Sequence, residues 1–310
     1  MQQLFYRFIK VWVRVSLKIF CKQVVIHNPG KHAAKGPLII AAHHPNSFFD
    51  AIIIGAFMHQ PVHYITRGDV FNKRWARFLL AQLNMIPIFR LRDGKDKLSL
   101  NQKTFEQSVE ILKNNGILLI FVEGFCEYQT TLLPLKKGAP RILLSCWQQG
   151  INAGVLPVWP RYHSFFAFGK RAEMNMGNIF GREAINNVNP GAEAVTAINI
   201  ATAQELTRLS AIENKFTKNS LLFRWLLLLP ALLGWLLNYP LYISCRLAIY
   251  PLAKENHHYD SIMFAVLTFI YPLYVTGIAL IAFYFTENYY SFLLLLLLPL
   301  LARCYVVWKK

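Results

Sequence analysis

The chain has 310 residues, 55% of them hydrophobic, and a formal charge of +17 from 33 Lys and Arg against 16 Asp and Glu. That length allows one large α/β domain with a smaller appendage. Strong positive charge combined with long apolar runs argues against a soluble cytosolic enzyme and points to a membrane surface bearing anionic lipid, or to an anionic substrate. Nucleic acid ranks below the membrane as a partner, because the basic residues are dispersed, no nucleic-acid module is recognisable and the apolar C-terminus calls for a bilayer. Cys21, Cys126, Cys146, Cys245 and Cys304 form no C-x-x-C pair, so neither zinc nor a disulfide framework is indicated, and a reducing, cytosol-facing catalytic domain fits.

Residues 3 to 22 read as a helix. Arg7, Lys10, Arg14, Lys18 and Lys22 recur every three or four positions as a basic stripe, and Leu4, Phe5, Phe8, Ile9, Trp12, Val15, Ile19 and Phe20 cover much of the rest. The pattern suits a helix in a membrane interface with its cations toward lipid phosphates. The other reading is a helix packed on the protein with a solvated basic face. Charges interrupt every apolar core that a cleaved signal peptide would need.

From about residue 37 to 185 apolar strands alternate with helical patterns. Strands are predicted at 37–42, 62–66, 86–90, 117–122, 154–159 and 165–168, and helices at 47–58, 73–83, 99–114 and 138–148. A further helix is predicted over about 191–213. The 99–114 helix has a solvated face at Lys103, Glu106, Glu110 and Lys113 and stops at Asn115-Gly116. Such alternation implies an α/β fold, a mostly parallel sheet flanked by helices, with functional groups at the carboxyl ends of strands. His44, Arg90 and Glu123 fall there.

After Lys218 the composition changes abruptly. Residues 221–237 are interrupted by Arg224 and Pro230, and 240–253 by Arg246 and Pro251, so both read as interfacial or re-entrant helices rather than spans. Residues 261–285 carry no charge and are long enough to cross ~30 Å of hydrocarbon. The stretch 291–308 is a weaker span, with Pro299 and Arg303 inside it. Lys254 before the first span and Lys309 and Lys310 after the second predict cytoplasmic ends. The chain so divides into an interfacial helix (1–30), a catalytic domain (31–219) and a membrane-associated helical region (220–310).

Most informative is the segment 38–51, Leu-Ile-Ile-Ala-Ala-His-His-Pro-Asn-Ser-Phe-Phe-Asp-Ala. An apolar strand ends in His44 and the next helix opens with Asp50. A histidine there can take a proton near neutral pH, and a carboxylate within reach fixes its tautomer and stabilises the imidazolium. The competing reading is a capping corner, with Asn46 or Ser47 as N-cap and Asp50 favoured by the helix dipole. Three segments follow in order: Met85-Ile-Pro-Ile-Phe-Arg90, then Gly116 to Phe125 with Glu123-Gly124 at a strand end, then Gly154-Val-Leu-Pro-Val-Trp-Pro160. Each is weak alone.

Together these four segments resemble the glycerophospholipid acyltransferase family, the PlsC-like enzymes, over roughly residues 35 to 185. That family shows Asn-His, four residues and Asp; a second motif ending in arginine; a third reading Phe-Pro-Glu-Gly-Thr-Arg; and a fourth around Val-Pro. His44 and Asp50, Arg90, Glu123 and Gly124, and Pro157 fall at those positions. Five residues rather than four separate His44 from Asp50, and His43 stands in place of asparagine. Val122 replaces the third-motif proline, and Phe125-Cys126 replaces Thr-Arg. The form His-Pro-Asn-Ser-Phe-Phe-Asp is similar to the branch of glycerol-3-phosphate and dihydroxyacetone-phosphate acyltransferases with an apolar C-terminal extension.

The resemblance implies a glycerolphosphate-acyltransferase-like fold and a membrane-bound enzyme that acylates glycerol 3-phosphate or a related glycerophosphate. Lysophosphatidate or a lyso-aminolipid as acceptor, or an inactive membrane scaffold, are the alternatives. His44 would deprotonate the acceptor hydroxyl as it attacks the thioester of acyl-CoA or acyl carrier protein, and Asp50 would orient the ring. No G-x-S-x-G elbow supplies a nucleophile. Arg90 would grip the acceptor phosphate, and Glu123 and Gly124 inherit an acceptor-binding role. Arg67, Lys136, Lys137 and Arg141 are further anion-binding candidates, with a surface or carrier-facing charge as the plainer reading. Backbone N–H groups at Asn46-Ser47 are the candidate oxyanion donors. His43 rivals His44 as base, but strand alternation turns its side chain to the other face. His257-His258, beside the predicted span, reads as interfacial, and Phe165, Phe166 and Phe168 as strand-core and membrane-facing. No ligand spacing suits a metal or organic cofactor.

Overall fold

The computed structural model describes residues 2–90, 94, 96, 99–185, 188, 191–212, 220–253, 255 and 257–309. Residue 213, Lys218, Lys254 and Lys310, on which some of the expectations above rest, lie outside the described residues. The strands are β1 (Cys21–His27), β2 (Leu38–Ala42), β3 (Val62–Arg67), β4 (Met85–Ile88), β5 (Ile117–Phe121), β6 (Gly154–Tyr162) and β7 (Lys170–Met176). The helices are α1 (Gln2–Phe20), α2 (Phe48–Phe57), α3 (Arg74–Gln82), α4 (Leu100–Lys113), α5 (Gly138–Gln148), α6 (Ala192–Ser210), α7 (Leu221–Leu226), α8 (Leu228–Ala253), α9 (Tyr259–Thr286) and α10 (Leu294–Trp308).

All seven strands form one sheet in the order β1-β7-β6-β2-β5-β3-β4. The five strands from β6 to β4 run parallel. β7 runs antiparallel to β6, and β1 runs parallel to β7. The α/β reading with a mostly parallel sheet therefore holds. In β2 the two-residue period sends Leu38, Ile40 and Ala42 to one face, where they pack with Ile53 and Ile54 of α2 and Phe264 of α9. Ile39 and Ala41 go to the other, against Leu112 of α4, Leu143 of α5 and Ile198 of α6. A strand buried on both faces reads as the unbroken apolar run seen here.

One predicted strand is corrected, and two strands appear that were not predicted. Residues 165–168 are not a strand: Phe165 stacks on Tyr128 and Phe168 packs edge-on against Phe20 in the turn before β7. β7 itself, Lys-Arg-Ala-Glu-Met-Asn-Met, turns Ala172, Met174 and Met176 to one core face between polar Arg171, Glu173 and Asn175, a short alternation that was not read as a strand. At the N-terminus the helix ends at Phe20, and Cys21 and Lys22 already belong to β1.

Part of the basic stripe of α1 also faces differently. Lys10 donates to the carbonyls of Met58 and His59, and Arg14 donates to that of Ala56, so both close the C-terminal end of α2. Cations suit that end of a helix, where carbonyls lack partners and the dipole is negative. Burial, and then the Arg14 charge, pushes the Lys10 ammonium down to about 8. The surface that α1 leaves open carries exposed Leu4, Phe8, Val11 and Val15 beside exposed Arg7 and Lys18 of the stripe.

Three helical stretches are long and apolar enough to cross a membrane, at 228–253, 259–286 and 289–308. The first corrects the reading of two broken interfacial pieces, because α8 continues through Pro240. Near it, Asn238 Nδ2 donates to the Gly234 carbonyl and Ser244 Oγ to the Pro240 carbonyl.

Candidate active site

The corner after β2 is built from both sheet faces. His44 continues the face of Leu38, Ile40 and Ala42, toward α2, and His43 continues the opposite face. His43 Nδ1 lies 3.0 Å from Glu123 Oε1, its Nε2 3.4 Å from the Gln129 carbonyl, and its ring stacks on Trp159 with 3.9 Å between centroids. At 1% exposure it is sealed inside.

His44 keeps 15% of its side chain accessible and stacks on Phe121 at 3.6 Å between centroids. Its Nδ1 is 2.9 Å from Asp50 Oδ2. The same oxygen accepts the Asn46 N–H at 2.8 Å, and Asp50 Oδ1 accepts the Tyr162 hydroxyl at 2.6 Å. Burial, and then the Asp50 charge, holds the Tyr162 phenol well above its usual range, so it remains a donor. An acceptor surrounded by donors requires Nδ1–H to donate too, which leaves the Nε2 lone pair to the accessible part of the ring.

The five-residue spacing does not part the pair. Ser47 takes φ 52° and ψ −146°, a conformation rare for a side-chain-bearing residue, and α2 starts directly after it. The additional residue is taken up in that turn. Ser47 N–H donates to Cys126 Sγ at 2.9 Å, and burial, followed by the Asp50 charge, pushes that thiol up to about 12. The N–H groups of Asn46 and Ser47 are thus both committed within the protein, which corrects their reading as oxyanion donors.

Glu123 turns inward. Its carboxylate accepts from the backbone N–H of His44 at 3.1 Å and of Leu133 at 2.9 Å besides meeting His43, and its exposure is 1%. Gly124 makes the tight turn behind it at φ +75°, and an added Cβ would come within 3.0 Å of Lys136 Cγ. Lys136 and Lys137 are exposed on the segment entering α5, as is Arg141 in its first turn.

Arg67 ends β3, and Arg90 follows β4, its neighbour in the sheet. Asn101 clamps Phe89 through both backbone groups at 2.8 Å, which sets the position of half-buried Arg90. The exposed Arg67 guanidinium makes a forked contact with Asp69 at 3.1 and 2.5 Å. That bond, with the charge of Arg90 behind it, holds the Asp69 carboxyl below its usual range.

The first turn of α9 completes the corner and was not foreseen. Ser47 Oγ and His258 Nδ1 are 2.5 Å apart, Asn46 Nδ2 donates to Asp260 Oδ2 at 2.8 Å, and Ser261 Oγ accepts the Phe49 N–H at 3.0 Å. Lys170 of β7 forms an ion pair with Asp260. His258 is therefore a wall of the site rather than an interfacial residue. Burial lowers its pKa, and the charges of Arg67, His257 and His44 add to that. The signal available in the sequence was an acidic residue, Asp260, at the head of an otherwise uncharged apolar run.

Residues 23–161 match the Acyltransferase family model. The matched segment runs from β1 to near the end of β6 and holds His44, Asp50, Arg67, Arg90, Glu123, Gly124, Lys136 and Lys137. Tyr162, Lys170, His258, Asp260 and Ser261 lie beyond this acyltransferase-like segment. No curated protein matches the chain. Among solved structures, the 1-acyl-sn-glycerophosphate (LPA) acyltransferase PlsC from Thermotoga maritima is similar at 16% identity and a TM-score of 0.49, over 69% of this chain and 83% of that one.

Proposed function

We propose that the chain is a membrane-bound O-acyltransferase that moves a fatty acyl group from acyl-CoA or acyl carrier protein to a hydroxyl of glycerol 3-phosphate or a related glycerophosphate. The observation that carries the reading is the 2.9 Å contact of His44 Nδ1 with a buried Asp50, which leaves Nε2 accessible within a segment similar to the Acyltransferase family. Nε2 takes the acceptor proton as the hydroxyl oxygen attacks the thioester carbonyl. Collapse of the tetrahedral adduct expels the thiolate, which recovers that proton from His44 to give an ester and a free thiol. A positioned base of this kind contributes ~10²- to 10⁴-fold.

Arg90 and Arg67, at the carboxyl ends of neighbouring strands, supply the positive field for the acceptor phosphate. Glu123 holds the His43-His44 backbone and has no oxygen turned to an acceptor. The three apolar helices support membrane attachment, and Lys309 beyond the last of them supports a cytoplasmic catalytic face. Exposed Trp75 and Phe78 on α3 favour, as a second reading, an acceptor that carries its own acyl chain, a lysophosphatidate.

The test is acyl transfer by the purified full chain in detergent, with labelled acyl-CoA or acyl carrier protein and a panel of acceptors. Glycerol 3-phosphate should be acylated and glycerol should not. His44→Ala should abolish transfer in a folded protein, and Asp50→Asn should cut kcat by ~10²- to 10⁴-fold. Full activity in His44→Ala, or preference for a phosphate-free acceptor, overturns the reading.

A further inference from the structure

A cavity of about 730 Å³ lies between α1, α8, α9 and α10, behind Phe49 rather than in front of His44. Its volume falls within the ~300–1,000 Å³ common for sites that enclose a ligand. Its walls are almost wholly apolar, with Trp12 of α1, Leu241 of α8, Val275 of α9 and Leu296 of α10, and Phe20 on its floor. Three of the four helices forming it are long and apolar enough to span a bilayer, or belong to such a stretch, so the surrounding medium that would fill it is lipid.

One end of the cavity is cationic. Lys18, Arg303 and Lys309 line it, and none of its described lining residues is acidic. Arg303 is fixed by donating to the carbonyls of Lys18, Cys21 and Lys22. Lys309 Nζ reaches the Phe168 carbonyl at 3.0 Å, and Lys22 Nζ reaches the carbonyl of Lys309. Burial, and then nearby Arg246, lowers the pKa of Lys309; burial, and then Arg171 and Arg224, lowers that of Lys22. Cations held this close, with no carboxylate among the described lining residues, are stabilised by an anion, and basic pockets between membrane helices suit anionic lipid headgroups.

We propose that this cavity binds one anionic phospholipid, its phosphate among Lys18, Arg303 and Lys309 and an acyl chain along α9 and α10. The lining residues all lie outside the acyltransferase-like segment, and the site does not depend on the acyl-transfer reading. Phe20 and Phe264 also pack against Phe49, the residue before Asp50, at 5.6 and 5.3 Å between centroids. The bound lipid therefore buttresses the back of the catalytic corner.

Native mass spectrometry of the full chain, released from nanodiscs of phosphatidylglycerol or of phosphatidylcholine, tests this without an activity assay. One phosphatidylglycerol should be retained, at least tenfold more than phosphatidylcholine. The surface variant Lys18→Gln/Lys309→Gln should lose that preference, and Leu300→Trp, at the exposed rim of the cavity, should reduce retention with all cations intact. Equal retention of the two lipids, or unchanged phosphatidylglycerol retention in Lys18→Gln/Lys309→Gln, overturns the proposal.

Discussion

The side-chain amide of Asn46 donates to the carboxylate of Asp260 at 2.8 Å, across 214 positions of sequence. Asn46 also donates its backbone N–H to Asp50 and accepts at its carbonyl from Ser261 Oγ. The turn between the two residues proposed for catalysis is thus held on one side by Asp50 and on the other by the first turn of α9, a helix long and apolar enough to cross a membrane. The apolar C-terminal region is therefore part of the site's framework.

Removing Asp260 alone leaves the Lys170 ammonium buried without its partner, so Asp260→Leu should lose ~3–5 kcal/mol of stability. The double variant Asp260→Leu/Lys170→Met should recover most of that loss, since a buried ion pair is often replaceable by apolar residues of similar volume. It should remain slow in acyl transfer, because Asn46 has lost its acceptor. Thermal unfolding and kcat, measured on both variants, separate the two effects; a double variant with wild-type kcat would remove the bracing role given to α9.

Glu123 offers a sharp contrast with the acceptor-binding role that the family resemblance implies. Each of its oxygens accepts from a backbone N–H, and His43 Nδ1 faces both. Glu123→Gln turns one acceptor into a donor that faces a donor, a cost of about 1–3 kcal/mol. The expected signature is a lower melting temperature and a lower kcat with the acceptor KM unchanged. A rise in acceptor KM at unchanged stability would restore the substrate-binding role.

Where the sequence was legible, local pattern and tertiary outcome agreed. β2, β3, β5 and β6 are apolar runs bounded by turn residues, and the opposite orientations of His43 and His44 follow from strand alternation alone. β1 was hidden because Cys21 and Lys22 continue the spacing of the basic stripe. β7 carries only a three-residue alternation, Ala172, Met174 and Met176, and it was passed over because Lys170, Glu173 and Asn175 are polar yet buried, a burial made tolerable by partners far away in sequence. Lys170 needs Asp260, and no periodicity within β7 encodes that. The inward bonds of two α1 cations were not foreseen for a related reason: Lys10 and Arg14 answer the open carbonyls at the end of α2, a demand set by packing.

Acid should weaken the fold through His63. The ring sits half-buried on β3, and burial pushes its pKa below the usual histidine value against the opposing effect of the Ile117 carbonyl. The unfolded chain therefore binds a proton near pH 6.5 that the folded chain refuses until lower pH. Stability is full above about 6.5 and falls as pH drops from there toward the lowered folded value. Melting temperatures of the full chain between pH 8 and pH 5 should decline in the acid half, and His63→Gln should lessen the decline. A slope unaltered by that substitution would place the linkage on other groups, His258 among them.

Gly234 sets how closely α8 and α10 approach. A Cβ built there would stand 2.0 Å from the Leu301 carbonyl oxygen and 3.2 Å from the Ala302 nitrogen, all backbone atoms that no rotamer change can move aside. Small residues at such crossings allow membrane helices to pack through their backbones. Gly234→Ala must therefore push the helices apart, at a cost of roughly 1–3 kcal/mol typical of overpacking. Because Gly234, Leu300 and Ala302 also border the lipid cavity, the same shift should loosen phosphatidylglycerol retention while Lys18, Arg303 and Lys309 keep their charge. His44 and Asp50 lie beyond the Phe20, Phe264 and Phe49 layer, so acyl transfer should fall less than retention does. A Gly234→Ala protein that melts at the wild-type temperature would mean that the α8–α10 crossing relaxes without loss.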